Sequence, residues 1–511
     1  MRAGAKADEF ESRMGETSDI VIIGSGMGGA TCAAGLAPSG AEILIVERGE
    51  RLTRSAATRD PRAIFQRGVF RPQETWIDGA GRAFNPGNYY YVGGNTKLFG
   101  AVLIRYRAED FHPIEHVGGV TPGWPFDYEA LEPWYGRAET LYQVRGAAGE
   151  DPTEPRRSTP LPLPPVPDEP AIAAVRQRMA RVGLRPFSLP MGVDVDKWLA
   201  GGKTTWDSFP DVGDGKMDAE AGGLAAALAH SNVRLETGAR VERLIVDSDG
   251  KRIRGVEYRV GDETRFVAAK LVILSAGAVN SAALLLRSAA GGLANRSDMV
   301  GRHFMNHNAS AALAIDPRVV NDSVYQKTLG INDFYLDDGR GGPPLGNIQL
   351  LGRVTGPILK ANVKWAPEWS LEWVSRHAVD WYAMSEDLPN PESRVTVDGA
   401  QIRLDWKRSN WRAHRGLVDA LRERLRAAGY PVVLSRPFDR RTPSHQCGTV
   451  RIGADPQTAP LDPYCRAWDH PNLFVVDASF LPTSAAVNPS LSIAAQALRV
   501  ADHIVNVDLK G

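Results

Sequence analysis

Short, mostly apolar segments recur at four places along the chain, each followed by small or polar residues. Residues 20–23 read Ile-Val-Ile-Ile, and similar segments lie at 41–46, 270–274 and 472–476. A short apolar run without alternation is typical of a strand that is buried on both faces of a parallel sheet. Helices are predicted after three of these strands, at 30–37, 280–288 and 492–505. The pattern therefore predicts an α/β domain to which the chain returns after long excursions.

A different pattern fills residues 316–434. Apolar and polar residues alternate in four short segments, at 346–354, 379–384, 395–397 and 402–405. This period of two is typical of half-buried antiparallel strands, and an amphipathic helix follows at 411–428. The pattern predicts a second, α+β domain with a mostly antiparallel sheet.

The segments between these two regions are less regular. Four short antiparallel strands are predicted at 233–235, 240–247, 255–260 and 264–268. Three helices are predicted at 129–144, 170–182 and 218–229, the first with Asp127 as its N-cap. Residues 51–91, 146–170 and 197–215 are predicted as loops, and the first residues, to about Thr17, as disordered.

A glycine-rich turn follows the first strand. The residues Gly24-Ser25-Gly26-Met27-Gly28-Gly29 open a helix, and the next strand ends on Glu47. In such a unit the first glycine makes the turn, the second lets backbone approach a pyrophosphate, and the last lets helix and strand pack closely. The helix N-terminus attracts phosphate, and an acid about 20 residues later accepts hydrogen bonds from ribose. The order predicts a dinucleotide site, and Glu47-Arg48-Gly49 suits FAD and NAD alike.

Composition and charge exclude several classes of function. Lys and Arg number 60, as do Asp and Glu, so a nucleic acid or an anionic membrane is not expected as a partner. No apolar run is long enough for a membrane span, and the polar first nineteen residues predict no signal peptide. Cys32, Cys447 and Cys465 form no disulfide framework. These observations predict a cytoplasmic protein.

Three C-terminal segments carry candidate chemistry: Ser444-His445-Gln446-Cys447-Gly448-Thr449, Asp477-Ala478 at the end of a strand, and Val487-Asn488-Pro489-Ser490 at the start of a helix. Two histidines further upstream, His303 and His307, have the spacing of a metal-binding pair on one helix face. No acid or further ligand accompanies either histidine group, so no metal site is predicted.

Together these segments resemble the glucose–methanol–choline (GMC) flavoprotein oxidoreductases. The resemblance rests on the GSGMGG turn with Glu47, on Gly93-Gly94, on residues 300–307 and on the C-terminal order HQCGT, VVDAS, AAVNPS, and it covers nearly the whole chain. The His…Asn pair, Trp124-Pro125 and residues 385–391 are most similar to the sugar-oxidising branch, which holds pyranose oxidases and bacterial glycoside 3-oxidases. The resemblance implies FAD, a two-domain GMC fold and oxidation of a secondary alcohol to a ketone.

The resemblance also implies residue roles. His445 matches the catalytic histidine, Asn488 its partner, and Asp477 the acid near the ribityl and phosphate groups. The backbone of Val241 matches the position that meets adenine, and Asn95 and Thr96 lie beside the isoalloxazine ring. The predicted cofactor-binding residues are Gly24, Gly26, Met27, Gly28, Gly29, Glu47, Arg48, Gly94, Asn95, Thr96, Leu98, Val241, Ala276, Asp477, Ala478, Asn488, Pro489 and Ser490.

One position departs from part of the family. Some fungal sugar oxidases tether the flavin to a histidine after the glycine pair, and Leu98 stands at that place here. FAD is therefore predicted to be non-covalent, and this difference leaves open whether the substrates of those enzymes carry over. The resemblance divides the chain into an FAD-binding domain (15–55, 90–110, 222–310 and 437–511) and a substrate-binding domain (56–89, 111–221 and 311–436).

Oxidation of an alcohol removes a proton from oxygen and a hydride from carbon. A neutral His445 can take the proton, and Asn488 can orient the hydroxyl. The final helix, which begins near Pro489-Ser490, can stabilise negative charge on reduced flavin. Gln349 lies mid-strand in an alternating segment and is predicted to contact the substrate together with His445 and Asn488.

The predicted reaction is FAD-dependent oxidation of a sugar or glycoside hydroxyl, at carbon 3 or carbon 2, with oxygen or a quinone-type acceptor reoxidising FAD. The alternative is a GMC-type dehydrogenase of a polyol, sugar acid or sterol that uses a non-oxygen acceptor. A pyridine-nucleotide reductase would need a second glycine motif, and an electron-transfer subunit has no use for a base such as His445. The oligomeric state stays open.

Overall fold

A computed structural model describes residues 16–439 and 444–510 of the chain. The N-terminal tail was predicted to be disordered to about Thr17. Its residues up to 15 lie outside the described residues. Glu16 and Thr17 belong to the first strand, which corrects the prediction for these two residues.

The glycine motif follows a central strand of a seven-stranded mixed sheet. Its order is β8-β2-β1-β11-β10-β9, with β19 beside β11. The strands are β1 (Glu16–Ile23), β2 (Ile43–Val46), β8 (Val233–Glu236), β9 (Ala239–Val246), β10 (Ile253–Val260), β11 (Glu263–Leu274) and β19 (Leu473–Val475). The pairs β1–β2, β1–β11 and β11–β19 are parallel, and Ile23 lies opposite both Val46 and Leu274. The glycine turn, Glu47, Ser275 and Val476 therefore meet at the same sheet edge.

Strand β11 corrects the prediction of two separate strands at 264–268 and 270–274. It is continuous over Glu263–Leu274 because nothing in Ala268-Ala269-Lys270 breaks an extended chain. Its first half pairs antiparallel with β10, and its second half pairs parallel with β19, while β1 runs along its other edge.

The second sheet of the molecule has six antiparallel strands. Its order is β18-β12-β15-β14-β13-β7, with β7 (Phe187–Ser188), β12 (Asn308–Ile315), β13 (Leu329–Ile331), β14 (Asn347–Gly352), β15 (Ala378–Ser385) and β18 (Val432–Pro437). One face packs on the amphipathic helix Trp411–Ala427, which buries Leu417, Leu421 and Leu425. Strand β12 of this sheet begins at Asn308, three residues before the predicted substrate-binding segment 311–436.

Two smaller sheets were not predicted as such. A four-stranded sheet joins β16 (Arg394–Asp398), β17 (Gln401–Asp405), β3 (Trp76–Asp78) and β4 (Ala83–Phe84). A hairpin joins β5 (Ile114–His116) and β6 (Gly119–Thr121). The segments predicted at 395–397 and 402–405 thus belong to a separate sheet, and Val395 and Leu404 pack into the core of the first sheet.

Ten α-helices complete the described regions: α1 (Met27–Leu36), α2 (Tyr128–Leu141), α3 (Pro170–Arg181), α4 (Val195–Ala200), α5 (Ala225–Leu228), α6 (Ala278–Ser288), α7 (Gly356–Asn362), α8 (Glu368–Arg376), α9 (Trp411–Ala427) and α10 (Ser490–His503). Helix α10 packs on α1, where a Cβ on Gly35 would lie 2.6 Å from the Cβ of Ala501. Within these regions, no helix combines the length and the apolar character needed to cross a membrane.

One local expectation for the helices was wrong. Part of the predicted loop at 197–215 belongs to α4, where the N-cap Asp194 accepts a hydrogen bond from the Lys197 amide. Six residues are too few to show a helical period in the sequence. Asp127 does occupy the N-cap of α2, but its side chain makes no capping hydrogen bond.

Candidate active site

The glycines of the first turn differ in what they face. A Cβ on Gly24, Gly28 or Gly29 would lie 2.0–2.3 Å from a backbone oxygen of the protein itself. A Cβ on Gly26 would meet nothing within 4 Å. Gly26 is also the N-cap of α1, and no side chain caps the first amides of that helix. A glycine with open space beside it and a helix N-terminus without a side-chain cap both suit a bound pyrophosphate, so the turn fits a dinucleotide.

Glu47 is buried at the end of β2 and already has three protein donors. Its Oε2 accepts from the amide (2.9 Å) and the hydroxyl (2.7 Å) of Ser25, and its Oε1 accepts from the Gly49 amide at 2.9 Å. Burial raises the pKa of its carboxyl, which these hydrogen bonds counteract. A carboxylate has about four acceptor positions, which leaves one for the ribose contact that stays a prediction. Arg48, next to it, stacks on Tyr90.

Asp477 lies at the neighbouring strand end. Its carboxylate accepts hydrogen bonds from the Gly277 amide at 3.0 Å, the Ser479 amide at 2.8 Å and the Ser281 hydroxyl. Burial raises the pKa of this carboxyl. The partly exposed Ala276 and Ala478 flank the same edge, and Val241 is partly buried in β9. The predicted cofactor-binding residues of the strand ends are therefore brought to one side of the sheet.

The glycine pair at 93–94 leads into a short 3₁₀ turn, Gly94–Leu98. Both glycines have positive φ, and a Cβ on Gly94 would lie 3.4 Å from the Cα of Gly26. Asn95 is exposed, and the Thr96 hydroxyl donates to the Gly93 carbonyl at 2.6 Å. Leu98 is buried and carries no nucleophilic atom. The turn thus lies directly against the dinucleotide turn, and the contact of Asn95 and Thr96 with the isoalloxazine ring stays a prediction.

His445 and Asn488 come together although 43 residues separate them in the chain. Asn488 Nδ2 lies 3.5 Å from His445 Nε2. The His445 amide donates to Asn306 Oδ1 at 2.8 Å, and a β-bridge between Met305 and Cys447 holds the two segments side by side. We call His445 and Asn488 the dyad. Pro489 occupies the N-cap of α10, so the N-terminus of that helix begins beside Asn488.

His307 was not predicted to take part in this site. The segment 300–307 is not helical, and His303 has a φ of 58°, so the two histidines do not share a helix face. Instead, His307 Nδ1 lies 2.7 Å from His445 Nδ1, and His307 Nε2 lies 3.0 Å from the Ser484 carbonyl oxygen. The sequence offered only the match of residues 300–307 to the family, without a role for this side chain.

These contacts determine the tautomers of both imidazoles. A carbonyl oxygen only accepts, so His307 carries its proton on Nε2 and presents a lone pair on Nδ1. His445 must then donate from Nδ1, which leaves its Nε2 unprotonated in the neutral ring. Nε2 is the nitrogen that faces Asn488. The atom directed toward Asn488 is therefore the basic one.

Both histidines are neutral at pH 7. Burial, together with His307 and Lys327, holds the pKa of His445 well below its usual range. Burial lowers the pKa of His307 to about 4. A neutral imidazole with a free lone pair can accept a proton from a hydroxyl group.

Gln349 lies behind Asn488 and is fully buried in β14. Its Nε2 donates to Asn488 Oδ1 at 2.7 Å, and its Oε1 accepts from Lys327 Nζ at 3.1 Å. Both ends of its amide are thus bound to protein side chains, and its contact with a substrate stays a prediction. Sequence reasoning missed Lys327 because no motif surrounds it.

The three cysteines are buried free thiols. Burial raises the pKa of the Cys447 thiol, which makes it a poor nucleophile despite its position two residues after His445. Among the residues that the structure describes, no group of three or more His, Cys, Asp or Glu side chains could hold a metal ion.

Comparison with known proteins gives consistent matches. Two family models, both described as GMC oxidoreductase, match residues 19–309 and 389–497. A 6'''-hydroxyparomomycin C oxidase of Streptomyces lividus is 30% identical, over 96% of this chain and 91% of the relative. A paromamine 6'-oxidase of Streptomyces fradiae is 29% identical, over 95% and 91%. The solved structure of pyridoxine 4-oxidase from Mesorbium loti has the same fold, with a TM-score of 0.67 and 21% identity over 95% of this chain and 99% of that one.

Proposed function

The chain belongs to the GMC oxidoreductase family, and from this premise we propose that it oxidises a secondary hydroxyl of a sugar or glycoside, at carbon 3 or carbon 2, to a ketone. As a member of the family it is an FAD-dependent oxidoreductase that acts on CH–OH groups. FAD, when bound, supplies the acceptor for the hydride, its N5 nitrogen. Gly26, Glu47, Asn95, Thr96 and Asp477 are the residues that we propose hold it.

The observation that carries the proposal is the geometry of the dyad. His445 Nε2 has a free lone pair and lies 3.5 Å from Asn488 Nδ2, so one hydroxyl group can contact both side chains. His445 takes the hydroxyl proton, and Asn488 donates a hydrogen bond to the same oxygen and fixes its orientation. The N-terminus of α10 adds a partial positive charge beside the dyad, which stabilises negative charge that forms there.

The experiment is anaerobic stopped-flow measurement of flavin reduction with monosaccharides, glycosides, polyols and sterols, repeated in air. Reduction by a neutral sugar or glycoside, followed by NMR of the ketone product, is the expected result. Rapid reoxidation in air identifies oxygen as the acceptor, and reoxidation only by a quinone supports the dehydrogenase alternative. Failure of every sugar and glycoside with rapid reduction by a sterol would refute the proposed substrate class.

The His445→Ala variant tests the role of the base. It should bind FAD normally and be reduced by substrate about 10²–10⁴-fold more slowly, because the positioned base is lost. His377→Ala, which removes a partly exposed histidine that contacts Trp373, is the matched control and should keep the wild-type rate. A His445→Ala enzyme reduced at the wild-type rate would contradict the assignment.

A second candidate function is favoured by the two Streptomyces relatives, whose names specify oxidation of paromomycin-type aminoglycosides. The same assay with paromamine as substrate distinguishes it. If paromamine reduces the flavin and neutral glycosides do not, the second proposal replaces the first. The dyad can take a proton from a hydroxyl group of either substrate.

A further inference from the structure

We infer that Lys327 is a positioning residue that acts through Gln349 and Asn488 and, together with the Ser484 carbonyl at the other end of the site, keeps the proton of His445 on Nδ1. The inference deepens the proposed function, since it rests on His445 Nε2 being the base. Lys327 lies outside the dyad, and its ammonium group bonds Gln349 and not the ring of His445.

A continuous chain of side chains connects Lys327 to the dyad and beyond. Lys327 Nζ lies 3.1 Å from Gln349 Oε1, and Gln349 Nε2 lies 2.7 Å from Asn488 Oδ1. Asn488 Nδ2 lies 3.5 Å from His445 Nε2, and His445 Nδ1 lies 2.7 Å from His307 Nδ1. His307 Nε2, at 3.0 Å from the Ser484 carbonyl, ends the chain.

The two ends of this chain allow only one direction for its hydrogen bonds. An ammonium group only donates, so Gln349 must turn its oxygen to Lys327 and its NH₂ to Asn488. Asn488 must then present its own oxygen to Gln349 and its NH₂ to His445. At the other end the Ser484 carbonyl only accepts. Every group between them donates in the same sense, from Lys327 toward Ser484.

Loss of the ammonium removes one of these two constraints. Without it, the Gln349 and Asn488 amides can rotate by 180° at little steric cost, because oxygen and NH₂ have nearly the same size. Asn488 Oδ1 then faces His445 and favours the tautomer with a proton on Nε2. That shift also moves the proton of His307 to Nδ1 and breaks its hydrogen bond to the Ser484 carbonyl, so the two ends compete and both tautomers of His445 become populated. The tautomer with a proton on Nε2 has no lone pair toward the hydroxyl group and cannot act as the base.

The surroundings of Lys327 support a role beyond packing. Its side chain is buried, with Asp207 Oδ2 at 3.7 Å from Nζ and the Tyr382 ring centroid at 4.2 Å. Its backbone has a φ of 58°, and its amide donates to the Leu350 carbonyl at 2.9 Å. A buried ammonium and a left-handed backbone at a non-glycine residue both cost stability. An apolar side chain or glycine would avoid these costs if the position were only structural.

The test is ¹⁵N NMR of the holoenzyme labelled selectively on histidine, together with anaerobic flavin reduction. The wild type should show His445 protonated on Nδ1 alone. Lys327→Met should show a substantial population protonated on Nε2 and flavin reduction slower by roughly tenfold, less than the loss of the base itself. Lys327→Arg keeps a donor-only group and should retain the wild-type tautomer. The signals of His414, whose ring bonds Ser310 and Ser385, serve as the internal control.

Gln349→Glu gives the same test without loss of the lysine, and it remains available if Lys327→Met does not fold. A carboxylate accepts from both Lys327 and Asn488, so it should turn the Asn488 amide and shift the proton of His445 to Nε2. An unchanged His445 tautomer in a folded Lys327→Met or Gln349→Glu variant would overturn the inference. A tautomer change in an enzyme that oxidises no sugar would instead refute the proposed function and leave the inference standing.

Discussion

Replacement of Asn488 by aspartate is the perturbation that examines the dyad most directly. The side chain keeps its size, but an acceptor with a negative charge replaces the NH₂ group that faces His445. A carboxylate there stabilises imidazolium and raises the pKa of His445. The variant should therefore hold its base in the protonated, inactive form over a wider range of pH, and it should also repel negative charge that develops during the reaction.

The magnitude follows from the distance. At the 3.5 Å between Asn488 Nδ2 and His445 Nε2, two unit charges interact by about 4 to 5 kcal/mol at an effective dielectric constant of about 20. That energy corresponds to roughly a thousandfold in the protonation equilibrium, at about 1.4 kcal/mol per factor of ten. Burial raises the pKa of a carboxyl group at this place, so the aspartate is not fully ionised and part of this effect is lost. A change of at least tenfold should remain.

The assay is the pH dependence of the rate of anaerobic flavin reduction. In the wild type the rate should fall only below the ordinary histidine range, because burial lowers the pKa of His445. In Asn488→Asp this fall should begin at least about one pH unit higher, and raising the pH should recover the rate. Asn488→Ala, the matched control, loses orientation and one hydrogen bond but should show no such displacement. If Asn488→Asp is faster than Asn488→Ala at pH 7, the reasoning is refuted.

Three further predictions follow from the same structure. Glu47→Ala should weaken FAD binding by about 1.5–3 kcal/mol, the value of a hydrogen bond to a charged group, and full flavin occupancy after dilution and dialysis would exclude Glu47 as the ribose ligand. Acid precipitation should release all flavin into the supernatant, because Leu98 offers no atom for a covalent bond; flavin in the pellet would contradict non-covalent binding. Gln349→Ala should raise KM or change the preferred sugar while the flavin spectrum stays the same, and unchanged kinetics across a glycoside panel would remove Gln349 from the substrate site.

The elements of the fold that could be predicted from sequence are those whose burial shows in the local order of apolar and polar residues. The apolar runs at 20–23 and 270–274 are strands because a position buried on both faces needs apolar residues without interruption. The continuity of β11 and the separate sheet of β16 and β17 depend instead on which strands pair, and pairing is decided by distant parts of the chain. The short helix α4 lacks a period that could reveal it.

The same division holds for the site. His445 and Asn488 were found through motifs, and Gln349 was predicted as a substrate contact, but the contacts of the dyad with His307 and with Gln349 were not predicted. His307 lies 138 residues from His445, and Gln349 lies 139 residues from Asn488. Neither spacing carries a sequence signal, because only the packing of the antiparallel sheet against the C-terminal segment brings these side chains together. Lys327 is the residue least predictable from sequence, because a lysine without a surrounding motif is usually solvent-exposed.

The order of strands in the first sheet has a consequence for how the protein is made. Strand β1 is synthesised before the other strands. Its neighbour β11 ends only at Leu274, and β19, which pairs with β11, ends at Val475. Helix α1 packs through Gly35 on Ala501 of α10, which is synthesised later still. At about 5–20 residues per second, synthesis of the chain between β1 and β19 takes roughly 20 to 90 s. Throughout that interval the glycine turn lacks the strand end and the helix that complete it. Flavin capture must therefore wait until β19 and α10 have been synthesised, and a nascent chain stalled before residue 473 should bind no FAD.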